Sequence, residues 1–200
     1  PTLRAGAAEP TPIEFVRPRI EFRAIYPEHD IRVPQRNIKE FISILIKSFP
    51  EEQKGIEGIF EDIQGLSNDI SRLSEIKKEP DMNTFPVEFP YLFKSFGKTW
   101  GDIVNARITN QKLKTLVSSL WGYYGLPPSK LSPFYYALPT YGYLVDGGYY
   151  PIGKSQKISN ALTQIIIDKG GTVKLNSKAK EIIIKNHTAV GVRTENGEEF

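Results

Sequence analysis

Residues able to do acid–base or nucleophilic work are few in this chain and poorly placed for it. Its 200 residues include no cysteine and only two histidines, His29 and His187. Thiolate nucleophiles, thiolate zinc sites and disulfides are therefore excluded, and a histidine metal centre has almost no ligands to draw on. Both histidines stand in turn contexts, "YPEHD" and "KNHTA", where a solvated imidazole is a simpler reading than a general base. Between Phe85 and Tyr150 the acids are Glu88, Asp102 and Asp146, each more simply used as a surface charge, a helix cap or a turn former. Serine and histidine show no spacing from which a nucleophilic triad can be argued. The expectation is that no side chain is catalytic and none is a metal ligand.

Glycine offers another route to chemistry, through bound phosphate. The stretch "GGYYPIGKS", Gly147 to Ser155, imitates a phosphate loop but fits neither G-x-G-x-x-G after a strand nor G-x-x-x-x-G-K-[ST]. The "GKS" reads as a helix start. What remains is an aromatic concentration: sixteen Phe, Tyr and Trp residues fall between Phe85 and Tyr150. They form either a core or the lining of a long apolar pocket or membrane-facing mouth, and the sequence leaves both open. Lining candidates are Tyr135, Tyr136, Tyr141, Tyr143, Tyr149 and Tyr150, which suit a hydrophobic ligand better than a sugar or nucleotide. If the region meets a membrane surface, Trp100 and Trp121 would stand at the interface.

Charge and hydropathy narrow the partners. The 26 basic and 23 acidic residues give a net charge of +3 and are spread along the chain without a cationic face, so nucleic acid is not expected. No apolar run approaches the roughly 20 residues of a membrane span, and the amino end lacks a signal-peptide layout. The chain reads as cytoplasmic, with peripheral membrane contact left open.

The elements that must position these residues follow from periodicity. Residues 1–12 have none and read as a linker or cloning remnant. Alternation predicts strands at Ile13 to Arg17, Arg19 to Tyr26 and Ile31 to Val33, with Pro27 to Asp30 as a turn. Asn37 and Glu40 make a capping box for a helix carrying Ile38, Phe41, Ile42, Leu45 and Phe49, stopped by Pro50. A longer stripe from Ile56 to Leu73 predicts a second helix, weakened by Gly55, Gly58 and Gly65. Pro80 to Pro90 reads as a loop; Thr99 with Asp102 caps a short helix, and Thr109 opens another with Leu113, Leu116, Val117, Leu120 and Trp121 on one face and Gly125 near its end. The segment "YYALPTYGYLVDGGYYP" has no clean period. A stripe of Ile158, Ala161, Leu162, Ile165 and Ile166 predicts a helix closed by Gly170-Gly171. Three β segments follow, turning at Asn186-His187 and Asn196-Gly197.

From Gly147 onward the order of motifs resembles the FAD-dependent phytoene-desaturase-like oxidoreductases, which include carotenoid desaturases, carotenoid isomerases and retinol saturases within the amine-oxidase-like flavoproteins. The matching positions are Gly147-Gly148, Pro151-Ile152-Gly153-Lys154, Gly170-Gly171, Leu175-Asn176, Ala179 to Ile182, Val190 to Val192 and Gly197. Upstream, "DIRVPQRNIKEFISILIKSFPEEQKGIEGIF" is similar to the family's strand, helix, "FPEE", helix order. Two positions depart: Lys154 replaces a second glycine, and Ala179 replaces a usual valine. Neither the family's amino-terminal dinucleotide motif nor its carboxyl-terminal flavin motif is present, so the resemblance implies an internal fragment.

The fold implied is α+β: an antiparallel β-sheet covered by helices, as in the substrate-binding domain of an FAD-linked oxidoreductase, plus a small β unit from the flavin domain. Residues 13–153 would be the substrate-binding region, and 154–200 a helix and β segments belonging partly to the flavin domain. The resemblance implies flavin hydride transfer on a polyene such as a carotenoid or retinoid, with Tyr141, Tyr143, Tyr149 and Tyr150 toward substrate. It also places the backbone of Ala179 against the adenine end of FAD. The fragment alone is expected to be inactive and not to hold FAD. An amine-oxidase-type flavoenzyme domain and a non-catalytic hydrophobic-ligand or membrane-surface module are the alternative readings.

Overall fold

The structure, a computed structural model, describes residues 2–3 and 13–200; the expected linker otherwise lies outside the described residues. In chain order the strands and helices are β1 (Thr2–Leu3), β2 (Phe15–Val16), β3 (Ile20–Tyr26), β4 (His29–Pro34), α1 (Ile38–Ser48), α2 (Gln53–Glu75), α3 (Phe85–Glu88), α4 (Pro90–Ser95) and α5 (Trp100–Arg107). They continue as α6 (Gln111–Val117), α7 (Trp121–Tyr124), α8 (Pro133–Val145), β5 (Tyr150–Pro151), α9 (Gln156–Asp168), β6 (Val173–Lys174), β7 (Ala179–Lys185) and β8 (Thr188–Thr194). The architecture is α+β, with every strand in an antiparallel two-stranded sheet. Two units are distinguishable: Arg17–Tyr149, and Pro1–Val16 with Tyr150–Phe200.

In the Arg17–Tyr149 unit the hairpin β3–β4 buries Ala24, Ile31 and Val33 toward the core. Its turn is tighter than expected, because His29 and Asp30 already pair with Tyr26 and Ile25. Between Ile20 and Phe22 the register shifts, with Ile20 opposite Pro34 and Phe22 opposite Val33. Glu21 is thus the extra residue of a β-bulge. α1 begins as expected: the Asn37 side chain accepts from the Glu40 amide at 3.1 Å and donates to the Glu40 carboxylate at 2.8 Å.

Helix α2 runs unbroken through three glycines that cost up to about 1 kcal/mol each in helix propensity. Packing supplies the reason. A Cβ on Gly55 would overlap the Arg107 carbonyl oxygen, one on Gly58 would lie 3.1 Å from the Arg107 guanidinium, and one on Gly65 would overlap the Tyr91 ring. The glycines therefore let α4 and α5 approach closely. Arg107 then reaches past them to pair with Asp62 at 2.8 and 2.9 Å.

The expected loop at Pro80 to Pro90 contains α3 and leads directly into α4. Proline sits in the first turn of each, where the missing N–H costs nothing. α5 carries the predicted capping box between Thr99 and Asp102. α6 opens one residue later than expected, with the Asn110 side chain accepting from Lys112 and Leu113. Thr109 is diverted: its amide and hydroxyl donate to buried Glu52 at 2.8 and 2.5 Å. The predicted single helix breaks after Val117, and its second piece, the short α7, ends at Gly125 as expected, at φ 83°. The unperiodic stretch is α8, a helix containing Pro139 that buries Tyr136, Ala137, Thr140 and Leu144. Phe134, Tyr135, Leu138 and Val145 are exposed on it, so apolar residues on both faces hide the helical period.

In the other unit β2 pairs with β5 and β1 with β6. α9 ends in a Schellman motif: the Gly171 amide donates to Ile166 and the Gly170 amide to Ile167, with Gly170 at φ 81°. β7 and β8 form a hairpin whose two turn residues, Asn186 and His187, stand at φ 50° and 59°. Positive φ at both positions is what a turn matching the strand twist requires. After the turn at Gly197, Phe200 exchanges two backbone hydrogen bonds with Val192.

Candidate functional site

The six candidate tyrosines scatter. Tyr136 is core: 1% exposed, stacked on Trp100 at a centroid distance of 4.2 Å, its hydroxyl donating to the Val117 carbonyl at 2.7 Å. Tyr141 and Tyr143 are half-buried and pack against the core. Tyr135, Tyr149 and Tyr150 are exposed. A quarter of the aromatic third is core, Tyr136 with Phe85, Phe89 and Trp100, and half of it, including Phe93, Phe96, Trp121 and Tyr123, is exposed. Trp100 is 0% exposed, which removes it as an interfacial anchor and leaves Trp121.

Tyr143 and Tyr136 meet at a cavity of about 20 Å³ in the Arg17–Tyr149 unit. Its wall includes Glu21, Phe22, Val33, Phe41 and Ser119. Glu21 is the residue that sequence reasoning missed. Strict alternation along β3 sends it to the polar face with Arg23, and only the bulge brings it to the cavity. Burial pushes its carboxyl above the usual carboxylate range, with the nearby Gly148 backbone acting in the lowering direction. The Glu21 Oε2 atom and the Ser119 hydroxyl are both buried without a partner. Nearby hydroxyls are committed elsewhere: Tyr124 and Thr140 lie 3.3 Å apart, and burial raises the Tyr124 phenol.

The glycine pair Gly147-Gly148 is explained by this chain's own side chains. A Cβ on Gly147 would meet Arg36 Cγ and Gln35 Oε1 at 2.9 Å, and one on Gly148 would meet the Glu21 carboxyl oxygens at 3.3 Å. Gly147 also stands at φ 83°. Gly147 closes α8, its amide donating to the Gly142 carbonyl at 3.0 Å, and the pair packs against side chains of the β3–β4 hairpin and its exit.

No protein-family profile matches the chain. Individual proteins do. Prolycopene isomerase 1, chloroplastic, of an Oncidium hybrid cultivar is 26% identical over 199 residues, 96% of this chain and 32% of that protein. A 4,4'-diapophytoene desaturase of Methylomonas sp is 26% identical over 201 residues, 94% of this chain and 37% of that protein. An inactive all-trans-retinol 13,14-reductase of Danio rerio is 25% identical over 169 residues, 80% of this chain and 28% of that protein. The chain resembles the phytoene-desaturase-like oxidoreductases along nearly its whole length. It spans about a third of the length of these relatives.

Within the phytoene-desaturase-like pattern, two positions gain a physical account. Lys154, standing where the pattern has glycine, adopts φ 72°; the backbone keeps the left-handed form that glycine favours although the residue has changed. Ala179 opens β7 with an exposed side chain, and β7 pairs with β8 alone. Its other edge has no strand partner among the described residues.

Proposed function

We propose that this chain is the substrate-facing part of an FAD-dependent oxidoreductase whose intact form acts on a hydrophobic polyene such as a carotenoid or retinoid. The observation that carries this reading is similarity over 96% of the chain to a prolycopene isomerase, joined by a diapophytoene desaturase and a retinol reductase. FAD would supply hydride transfer, and the protein would supply orientation and a dry surface. Tyr141, Tyr143, Tyr149 and Tyr150 would contact the apolar substrate through ring faces, and the Ala179 backbone would face the adenine end of the cofactor. This division of labour suits a chain without an acid–base pair suggestive of catalysis. The test is the full-length protein, purified with FAD and offered carotenoids and amines side by side. Flavin absorbance with carotenoid conversion is the expected result. Failure to take up FAD overturns the reading, and turnover of amines alone moves it to the amine-oxidase type.

Peripheral membrane contact is a second part of the proposal, favoured by α8. Its 13 residues carry no charge and expose Phe134, Tyr135, Leu138 and Val145, with Trp121 and Tyr123 exposed on α7. Aromatic residues with one polar tip suit the headgroup level of a bilayer. Among the described residues no helix is long and apolar enough to cross a membrane. Co-sedimentation with phospholipid vesicles should fall in a Trp121→Ser, Tyr135→Ser variant; equal pelleting of variant and parent would exclude this surface.

A further inference from the structure

We propose that Glu21 and Ser119 form a binding site for one neutral hydroxyl oxygen, belonging either to a water molecule or to the alcohol end of an otherwise apolar ligand, at the polar wall of the core cavity. Three observations converge there. The cavity measures about 20 Å³, above the roughly 10–15 Å³ that seats one water. Glu21 Oε2 and Ser119 Oγ, both on its wall, are buried and lack hydrogen-bond partners, although buried polar atoms are nearly always satisfied. The bulge at Glu21 turns inward a side chain that regular alternation would leave in solvent, and re-aiming a side chain is what bulges do beside functional sites.

The chemistry selects a hydroxyl. A carboxyl oxygen accepts a hydrogen bond, and a serine hydroxyl both donates and accepts. A guest that both donates and accepts completes both. Phe22, Val33 and Phe41 make up much of the remaining wall, so the rest of the lining offers a charged guest no polar partner. The neighbouring hydroxyls do not compete, because Tyr136 is bonded to the Val117 carbonyl and Tyr124 to Thr140. Two further residues hold Glu21 in place. The Gln35 amide donates to the Ile20 carbonyl at the bulge, at 3.4 Å, and Gly148 leaves room for the carboxyl.

The alcohol source rests on the polyene reading above; the water source does not. Crystals of this 200-residue chain, at a resolution that shows ordered water, should contain one oxygen within hydrogen-bonding distance of both Glu21 and Ser119. In crystals soaked with all-trans-retinol, replacement of that water by the alcohol oxygen identifies a ligand site, and persistence of the water identifies a solvent site. Glu21→Gln should keep the oxygen; Glu21→Leu with Ser119→Ala should lose it. Should the double variant not fold, a nuclear Overhauser contact between water and Ser119 in the parent and in Glu21→Gln replaces it. A dry cavity in the parent chain, or a Glu21 carboxyl bonded directly to Ser119, overturns the proposal. Retinol that never enters leaves the oxygen site standing as a solvent site, and the polyene reading is tested apart from it by carotenoid conversion in the intact protein.

Discussion

Helices α2 and α9 carry the same kind of apolar stripe and meet opposite fates. In α2, Ile56, Ile59, Ile63 and Leu66 are at most 2% exposed, whereas Ile158, Leu162, Ile165 and Ile166 of α9 are 39 to 58% exposed. A stripe states that one face of a helix is apolar; it does not state that a partner lies in the same chain. α2 also has glycines where α4 and α5 come close, so its burial is sequence-encoded twice over. α9 has no glycine within its span, and its stripe has no comparable cover among the described residues.

The sharpest way to break that contrast is to truncate one residue from each stripe. Ile59→Ala should cost about 2–5 kcal/mol by removing fully buried atoms, while Leu162→Ala should stay within about 0.5 kcal/mol, as surface changes do. Urea unfolding of both variants checks this, and equal losses would mean that α9 is covered in solution. Next, Gly65→Ala should destabilise by about 1–3 kcal/mol through overpacking against Tyr91, despite the helix preference for alanine. Gly142→Ala in α8, where a Cβ meets nothing within 4 Å, should instead stabilise by up to about 1 kcal/mol. A smaller effect belongs to the other unit: Lys154→Gly should stabilise by about 1 kcal/mol by relieving left-handed backbone, read as a rise in Tm.

The unit that holds α2 also contains two acids with opposite pH behaviour. For Glu52, burial acts to raise the carboxyl, but the donors from Thr109 and Asn110 outweigh it and leave it lowered. Its stabilisation is present above the ordinary carboxylate range and is lost as pH falls through the folded value. Glu21 is raised, by burial. Its contribution is complete below the ordinary carboxylate range and is lost as pH rises through the folded value. Glu21→Gln should therefore gain stability relative to the parent as pH rises, and Glu52→Gln should lose least at low pH. Urea midpoints measured across pH test both, and parallel curves for parent and Glu21→Gln would refute the Glu21 assignment.

Legibility in the sequence followed the strength of the local signal. α1, with its Asn37–Glu40 box, and the β7–β8 hairpin, with Asn186-His187, were readable because backbone chemistry at their ends is local. α8 was not, since Phe134, Leu138 and Val145 are as apolar as the Tyr136 and Leu144 they oppose. Thr109 looked like a cap until Glu52, distant in sequence, took its hydroxyl and amide. Among the site candidates, neighbouring Tyr135 and Tyr136 part completely, one exposed and one core, because successive helical residues point about 100° apart. Glu21 was invisible, as a bulge depends on the partner strand.

The sequence by itself determined the α+β class, the main helix and hairpin positions, the Gly170-Gly171 stop and the family likeness. These rest on short-range capping, periodicity and motif order. Tertiary structure alone decided which aromatic residues are core, why α2 tolerates three glycines, and that Glu21 turns inward to the cavity that Ser119 also lines. Those outcomes depend on which surfaces meet across long stretches of chain, and contact at that range is set by packing and desolvation rather than by local propensity.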